Sequence, residues 1–96
     1  MKPSLVLEKN RKAIRDAVKH NRMTNARVFG SVLHCTDKEG SDLDLLVDVL
    51  PGATLFDIGG LQTDLEEMLS ISVDIRTPSD LPTKFRNKVL LEAIPV

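Results

Sequence analysis

The sequence predicts a small α/β domain built around a short sheet, and three observations support this prediction. The chain has 96 residues, which is enough for one hydrophobic core and little more. Segments with helical and strand periodicity follow one another in the order α, β, helical turn, β, α, β, α. Residues 42–49 largely alternate apolar and acidic side chains, as in a strand that buries one face. We therefore expect residues 1–96 to form a single domain of two or three layers.

The first helix is predicted from about Leu5 to Lys19. Its apolar residues Leu7, Ile14 and Val18 recur near helical spacing. Ser4 stands where a side-chain oxygen can cap the first turn.

The middle of the chain is predicted to form two strands separated by a helical turn and a loop. The first strand, 26–30, contains Val and Phe, which suit a pleated surface, and it ends at Gly30. Residues 31–35 make one helical turn and residues 36–41 a polar loop. In the second strand two sets of side chains lie on opposite faces: Leu43, Leu45, Val47 and Val49 on one, Asp42, Asp44 and Asp48 on the other, with Leu46 between the acids.

A second long helix is predicted after the turn at 50–54, with Thr54 as its cap. Its apolar stripe consists of Ile58, Leu61, Leu65 and Met68. Gly59 and Gly60 weaken its start by about 1 kcal/mol each relative to alanine.

The chain is predicted to finish with a third strand and a last helix. The strand covers 71–77 and is closed by Pro78. Pro82 can start the helix, and Pro95 ends it.

Composition narrows the possible functions. Residues are 42% hydrophobic and 28% charged, and the net charge of −1 argues against a general nucleic-acid binder, which would carry a basic face. The one cysteine, Cys35, cannot form an internal disulfide and fits a reducing compartment. No apolar run has the length of a signal peptide core or a membrane span. We expect a soluble, cytoplasmic protein without membrane or direct nucleic-acid contacts.

Three aspartates form the candidate metal site. Asp42 and Asp44 are two residues apart on one strand, so they project from one face about 7 Å apart at the base. Asp74 is an isolated acid in the apolar third strand. If the two strands are neighbours, the three carboxylates meet on one face. Hard oxygen ligands of this kind suit Mg²⁺ or Mn²⁺ and the two-ion chemistry of phosphoryl or nucleotidyl transfer.

Gly30 and Ser31 form the candidate nucleotide contact. A glycine at the end of a strand lets the backbone approach a phosphate, and the next residue opens a helical turn whose free N–H groups attract anions. The Ser31 hydroxyl is a further donor. Together with the aspartates, this pair indicates a nucleotide site.

The Gly30-Ser31 pair, ten intervening residues and then Asp42-Leu-Asp44 resemble the signature of the DNA polymerase beta-like nucleotidyltransferase superfamily. More closely, "RVFGSV", "SDLDLLVDV", "VDIRTPSDL" and "LLEAIPV" resemble the minimal nucleotidyltransferases, over nearly the whole chain. The resemblance implies the fold of that superfamily, of α/β (α+β) class, with a mixed sheet of about three to four strands flanked by helices.

The resemblance also implies an activity and a partner. Ser31, beside Gly30, would contact the triphosphate of ATP, and Asp42 and Asp44 would bind Mg²⁺ (or Mn²⁺). Asp74 would be the third catalytic acid, as metal ligand or base. Many such proteins are antitoxins of HEPN-domain ribonucleases, and those characterised transfer AMP from ATP to a tyrosine of the toxin. A hetero-oligomer with a HEPN toxin is therefore expected.

One segment departs from the family pattern. Where similar sequences continue after Gly-Ser with Val-Ala-Arg-Gly, this chain has Val32-Leu33-His34-Cys35. Loss of the arginine removes a permanent cation, and loss of the glycine removes the residue that most easily adopts a positive φ. This feature favours the alternative function, a catalytically weak or inactive antitoxin that neutralises its partner by binding alone.

The remaining charged residues have other interpretations. Asp48 lies about 13 Å beyond Asp44 along the strand, so it is expected at a solvated strand end rather than among the ligands. An EF-hand over residues 37–48 fails because Asp42 stands where that loop needs glycine. Aminoglycoside nucleotidyltransferases use the same signature but normally need a further domain to hold their substrate, so this enzyme class is not expected. A basic set is expected on a solvated surface, with phosphate or partner binding as the alternative: Arg76, Lys84, Arg86 and Lys88.

Overall fold

A computed structural model describes all residues from Met1 to Val96. Its elements in chain order are α1 (Pro3–His20), β1 (Met23–Phe29), α2 (Gly30–Leu33), β2 (Leu43–Val49), α3 (Leu55–Leu69), β3 (Val73–Arg76), a 3₁₀ turn (Pro78–Asp80), α4 (Thr83–Glu92) and β4 (Ile94–Pro95). The sheet order is β3-β2-β1-β4. β2 and β3 run parallel, whereas β1 is antiparallel to both β2 and β4. The sheet is therefore mixed, as predicted.

The hydrophobic core lies between one face of the sheet and the helices α1 and α3. Its helical members include Ile14 and Val18 of α1 and Leu61 and Leu65 of α3. The odd-numbered residues of β2 complete it from the sheet side: Leu43, Leu45 and Val47. Because side chains alternate along a strand, the even-numbered residues of β2 and β3 are directed to the opposite face.

That opposite face carries the charged side chains and is partly covered. Leu46 lies among the acids of β2, yet its side chain is fully buried, and it is not a member of the main core. Leu81 is likewise buried outside the core, and the 3₁₀ turn before it contacts β2. The segment after β3 therefore shields the sheet beside the acidic site.

The first helix begins earlier than predicted, because its N-terminal end has a different cap. The helix starts at Pro3, and Ser4 makes no side-chain capping bond. Instead, the Ser4 N–H donates to Oδ2 of Asp37, at 2.9 Å, from the loop before β2. That bond lowers the pKa of Asp37. The prediction of a Ser4 cap was wrong because the acceptor comes from a residue 33 positions away.

The C-terminal prediction also needs correction. Helix α4 ends at Glu92, so Pro95 does not end it; Ile94 and Pro95 pair with Val28 and Arg27 as a short edge strand. Proline is tolerated there because an edge strand need not use every N–H. β1 is longer than predicted because it begins at Met23, and a bulge around Asn25, at φ 53°, interrupts its pairing with β2.

Two side chains predicted for the core lie at its border. In α3 the buried stripe continues to Leu69, and Met68 is 44% exposed. Val49, at the end of β2, is also exposed. The Thr54 cap of α3 is confirmed as a reciprocal capping box with Asp57.

Gly59→Ala should stabilise the protein. Gly59 is exposed within α3, and a methyl group there would meet nothing within 4 Å. We expect a gain of about 1 kcal/mol and an increase in Tm of about 4–8 °C, measured by thermal unfolding. Gly60→Ala is the matched control. Its Cβ would lie 3.1 Å from Oδ1 of Asn21, so this variant should gain less stability. Equal gains at both positions would contradict this account.

Candidate active site

Asp44 and Asp74 are brought together by the pairing of β2 with β3. The two strands are parallel, and these residues are direct partners in the register. Both are half-buried on the face opposite the core, and the charge of Asp74 acts on the Asp44 carboxyl. The predicted neighbourhood of Asp44 and Asp74 therefore exists, whereas Asp42 lies just outside β2.

Asp42 lies at the entrance to the same cluster. It precedes the first residue of β2 and is exposed. Its negative charge nevertheless acts on the Asp44 carboxyl. The three predicted acids thus share one electrostatic environment, in which Asp44 is central.

Gly30 makes room for Asp44. Its φ is +72°, in the left-handed region, and a Cβ built on it would overlap Oδ2 of Asp44 and lie 3.0 Å from Cγ. Phe29, the preceding residue, pairs with Asp44 across the antiparallel strands. Gly30 also begins α2, and Ser31 is the next residue of that helical turn. The glycine is required here for close approach of a side chain, which sequence reasoning did not anticipate.

Burial and the neighbouring acids disfavour the ionised form of the Asp44 carboxyl group. Burial raises the pKa of Asp44 to about 6, the charges of Asp74 and Asp42 add to the rise, and Arg76 opposes it. Like charges held this close disfavour ionisation of the middle group. A bound cation would remove that penalty, so the donor set fits a hard divalent ion.

Arg76 forms an ion pair with Asp74. Its Nε lies 3.2 Å from both Oδ1 and Oδ2 of Asp74. As the chain stands, no group of three or more His, Cys, Asp or Glu side chains is arranged to hold a metal ion. The sequence contained a signal for this pair, since an acid and a base two residues apart on a strand share a face.

Asp48 does not join the cluster. Its Oδ1 lies 2.6 Å from Nη2 of Arg27, and its Oδ2 accepts a hydrogen bond from Asn25 Nδ2 at 2.8 Å. This geometry agrees with the expectation that Asp48 is not a metal ligand. The side chain is not fully solvated, however, because it forms an ion pair with Arg27. It ties β2 to the bulged part of β1.

The segment that departs from the family pattern keeps the expected turn. Cys35 has φ 58°, a conformation that costs a non-glycine residue about 1–2 kcal/mol. His34 is 54% exposed, and its Nε2 lies 3.4 Å from Oε2 of Glu92 in α4. The histidine is thus directed to the last helix.

Without metal, the stability of the fold should decrease as the pH rises from 4 to 6. Across this range the folded protein keeps a proton on Asp44, pKa about 6, that the unfolded chain has already released, so unfolding becomes easier with increasing pH. The full shift corresponds to about 3 kcal/mol, and partial exposure reduces this to about 1–2 kcal/mol. Urea unfolding in EDTA at pH 4.5 and 7.5 measures the change. A stability that stays constant or increases across this interval would contradict the assignment.

Comparison with known proteins identifies relatives of the chain. The nucleotidyltransferase domain family matches residues 8–96. A Methanocaldococcus jannaschii protein provisionally named protein adenylyltransferase MJ0435 is 36% identical over 93% of this chain and 95% of its own length. A second such protein of that organism, MJ1217, is 28% identical over 91% of this chain and 86% of its own.

Two solved structures share the fold. One, described provisionally as a minimal nucleotidyltransferase, superposes with a TM-score of 0.86 at 39% identity, covering 97% of this chain and 95% of that one. The other is a toxin–antitoxin structure with AMP-PNP, with a TM-score of 0.74 at 20% identity, covering 90% of this chain and 71% of that one. The predicted fold class is confirmed. No helix of this structure combines the length and apolar character needed to cross a membrane.

Proposed function

The chain belongs to the nucleotidyltransferase domain family, and we propose that it transfers AMP from ATP to a hydroxyl group of a partner protein. The predicted enzyme class is confirmed by the family match and by the relatives named protein adenylyltransferase. The observation that carries the finer proposal is the position of Asp44, seated on Gly30 and in register with Asp74. ATP as the nucleotide is supported by the AMP-PNP in the toxin–antitoxin structure.

The proposed residue roles are those that the family resemblance implies, and the placement of the side chains supports them. Gly30 and Ser31 would lie against the triphosphate. Asp42, Asp44 and Asp74 would hold Mg²⁺ or Mn²⁺, which when bound neutralises phosphate charge and makes the acceptor hydroxyl more acidic.

The reaction is a balanced substitution at the α-phosphorus. The acceptor oxygen bonds to the α-phosphorus, the bond to the bridging oxygen breaks, and pyrophosphate leaves with that electron pair. The hydroxyl proton passes to solvent. The products are the O-AMP protein and pyrophosphate.

The proposed partner is a HEPN-domain toxin, with tyrosine as the acceptor. Apolar side chains exposed on two helices support a protein partner, since large apolar residues exposed together are typical of interaction surfaces. Leu55 and Phe56, at the start of α3, are 84% and 90% exposed. Helix α4 has no buried residue, and its Leu91 is 87% exposed. We therefore propose an antitoxin that acts within a hetero-oligomer.

Two measurements test this function. Mg²⁺ with AMP-PNP at about 100 times its dissociation constant should stabilise the wild type by about 2.7 kcal/mol, and Asp42→Asn/Asp44→Asn should abolish the shift. The transfer assay combines the protein, Mg²⁺, labelled ATP and the product of the neighbouring gene, which this proposal expects to be a HEPN-domain protein. Mass spectrometry should then find one AMP on a tyrosine. If the double variant is still stabilised by Mg²⁺ and AMP-PNP, the proposed nucleotide site is wrong. If the wild type is stabilised but transfers no AMP to that acceptor, the proposed partner is wrong.

The binding-only antitoxin stays the second candidate because His34 stands where similar sequences have an arginine, and its side chain lies beside Glu92. It predicts that the double variant still neutralises toxin in cells. Loss of neutralisation with an intact complex would favour the enzyme.

A further inference from the structure

Arg76 has an unusual place among the basic side chains. It is the last residue of β3, two positions after Asp74, so both are directed to the same face of the sheet. The guanidinium Nε is equidistant from the two Asp74 oxygens, at 3.2 Å. The Arg76 charge also acts on Asp44. Arg86, by contrast, donates to the carbonyl oxygens of Ser79 and Leu81 and links α4 to the segment before it.

We propose that Arg76 is a positioning residue that holds Asp74 while the site lacks metal and releases it when a divalent cation arrives with the nucleotide. This inference rests on the proposed function, because it takes Asp74 to be a metal ligand. A cation that binds Asp74 must compete with the Arg76 charge and with a contact that already engages both carboxylate oxygens. Metal alone should therefore bind weakly.

The nucleotide changes this competition. Its phosphates are the negatively charged groups that would enter beside the acids, and guanidinium groups bind phosphate oxygens well. The side chains of Arg76 and Asp74 are 45% and 37% exposed, so the pair is weak enough to exchange partners. Release of Asp74 is then coupled to nucleotide binding, and metal and nucleotide favour each other's entry.

Mn²⁺ binding measured by electron paramagnetic resonance, first without nucleotide, tests the inference. Arg76→Gln should bind Mn²⁺ about five- to tenfold more tightly than the wild type, since both the contact and the charge are removed. Arg76→Lys keeps the charge but not the planar fork, and it should gain about two- to fivefold. Lys88→Gln, on exposed α4, removes a charge elsewhere and should change nothing. With saturating AMP-PNP, the advantage of Arg76→Gln should shrink below about twofold.

The same titrations contain the results that would overturn the inference. Unchanged or weaker Mn²⁺ binding by Arg76→Gln would overturn it. Equal gains in Arg76→Gln and Lys88→Gln would also overturn it, because they would indicate a general effect of net charge. An Asp44→Asn titration separates this failure from failure of the proposed function. If Asp44→Asn binds Mn²⁺ as well as the wild type, the proposed metal site is wrong. If Asp44→Asn loses Mn²⁺ and Arg76→Gln gains nothing, only the role of Arg76 is wrong.

Discussion

Asp44→Asn should abolish AMP transfer and at the same time stabilise the metal-free protein. Removing a central metal ligand costs several kcal/mol of transition-state stabilisation, so we expect a loss of about 10²–10⁴-fold in kcat/KM. Asparagine keeps the shape of the side chain but not its charge. It therefore relieves the repulsion from Asp74 and Asp42 and the burial penalty that raise the pKa of Asp44. At pH 7.5 in EDTA the gain should be about 1–2 kcal/mol, or about 5–15 °C in Tm.

The opposite signs of the two effects make this variant informative. A residue that only supports the fold would lose activity and stability together, whereas a functional carboxylate is retained at the expense of stability. Asp16→Asn is the matched control, because Asp16 lies exposed on α1 and should affect neither quantity. In addition, Asp44→Asn should flatten the change in stability between pH 4.5 and 7.5. A destabilised or fully active Asp44→Asn protein would refute the assignment.

Gly30→Ala should damage both the fold and the site. Alanine at φ +72° is strained by about 1–2 kcal/mol. Its methyl group would also overlap the Asp44 carboxylate, which cannot stay in place. Relieving such overpacking adds about 1–3 kcal/mol. We expect a total loss of about 2–5 kcal/mol in urea unfolding and no thermal shift with Mg²⁺ and AMP-PNP.

Gly40→Ala separates backbone strain from the contact. Gly40 has φ +86°, but nothing lies within 4 Å of its Cβ position, so this variant should show only the cost of the backbone conformation. A double-mutant cycle with Asp44→Ala should reduce the cost of Gly30→Ala toward that of Gly40→Ala, because the overlapping carboxylate is gone. If Gly30→Ala costs no more than Gly40→Ala in the wild-type background, the carboxylate is not seated on Gly30 in solution.

The sequence determined by itself those features that depend on local spacing. The alternation in β2 separates Leu43 and Leu45 from Asp44 on the two faces, because side chains in a strand have a period of two. The Thr54 cap needs only Asp57 three residues later. The spacing from Gly30-Ser31 to the aspartates indicated a nucleotide site before any contact was known. The fold class followed from the order of the predicted elements, and the enzyme class from the family resemblance that the motif residues carry.

Only the tertiary structure decided the contacts between segments distant in the chain. Asp37 caps α1 because the loop before β2 passes its N-terminal end, and Ile94 pairs with Val28 because α4 returns the chain to the sheet edge. Asp44 meets Asp74 through the parallel register of two strands, and it rests on Gly30 through the antiparallel register with the third. A shift of one residue in either register would turn these side chains to the other face. Local patterns select helix, strand and turn, but packing of the whole core fixes the registers and so assembles the site.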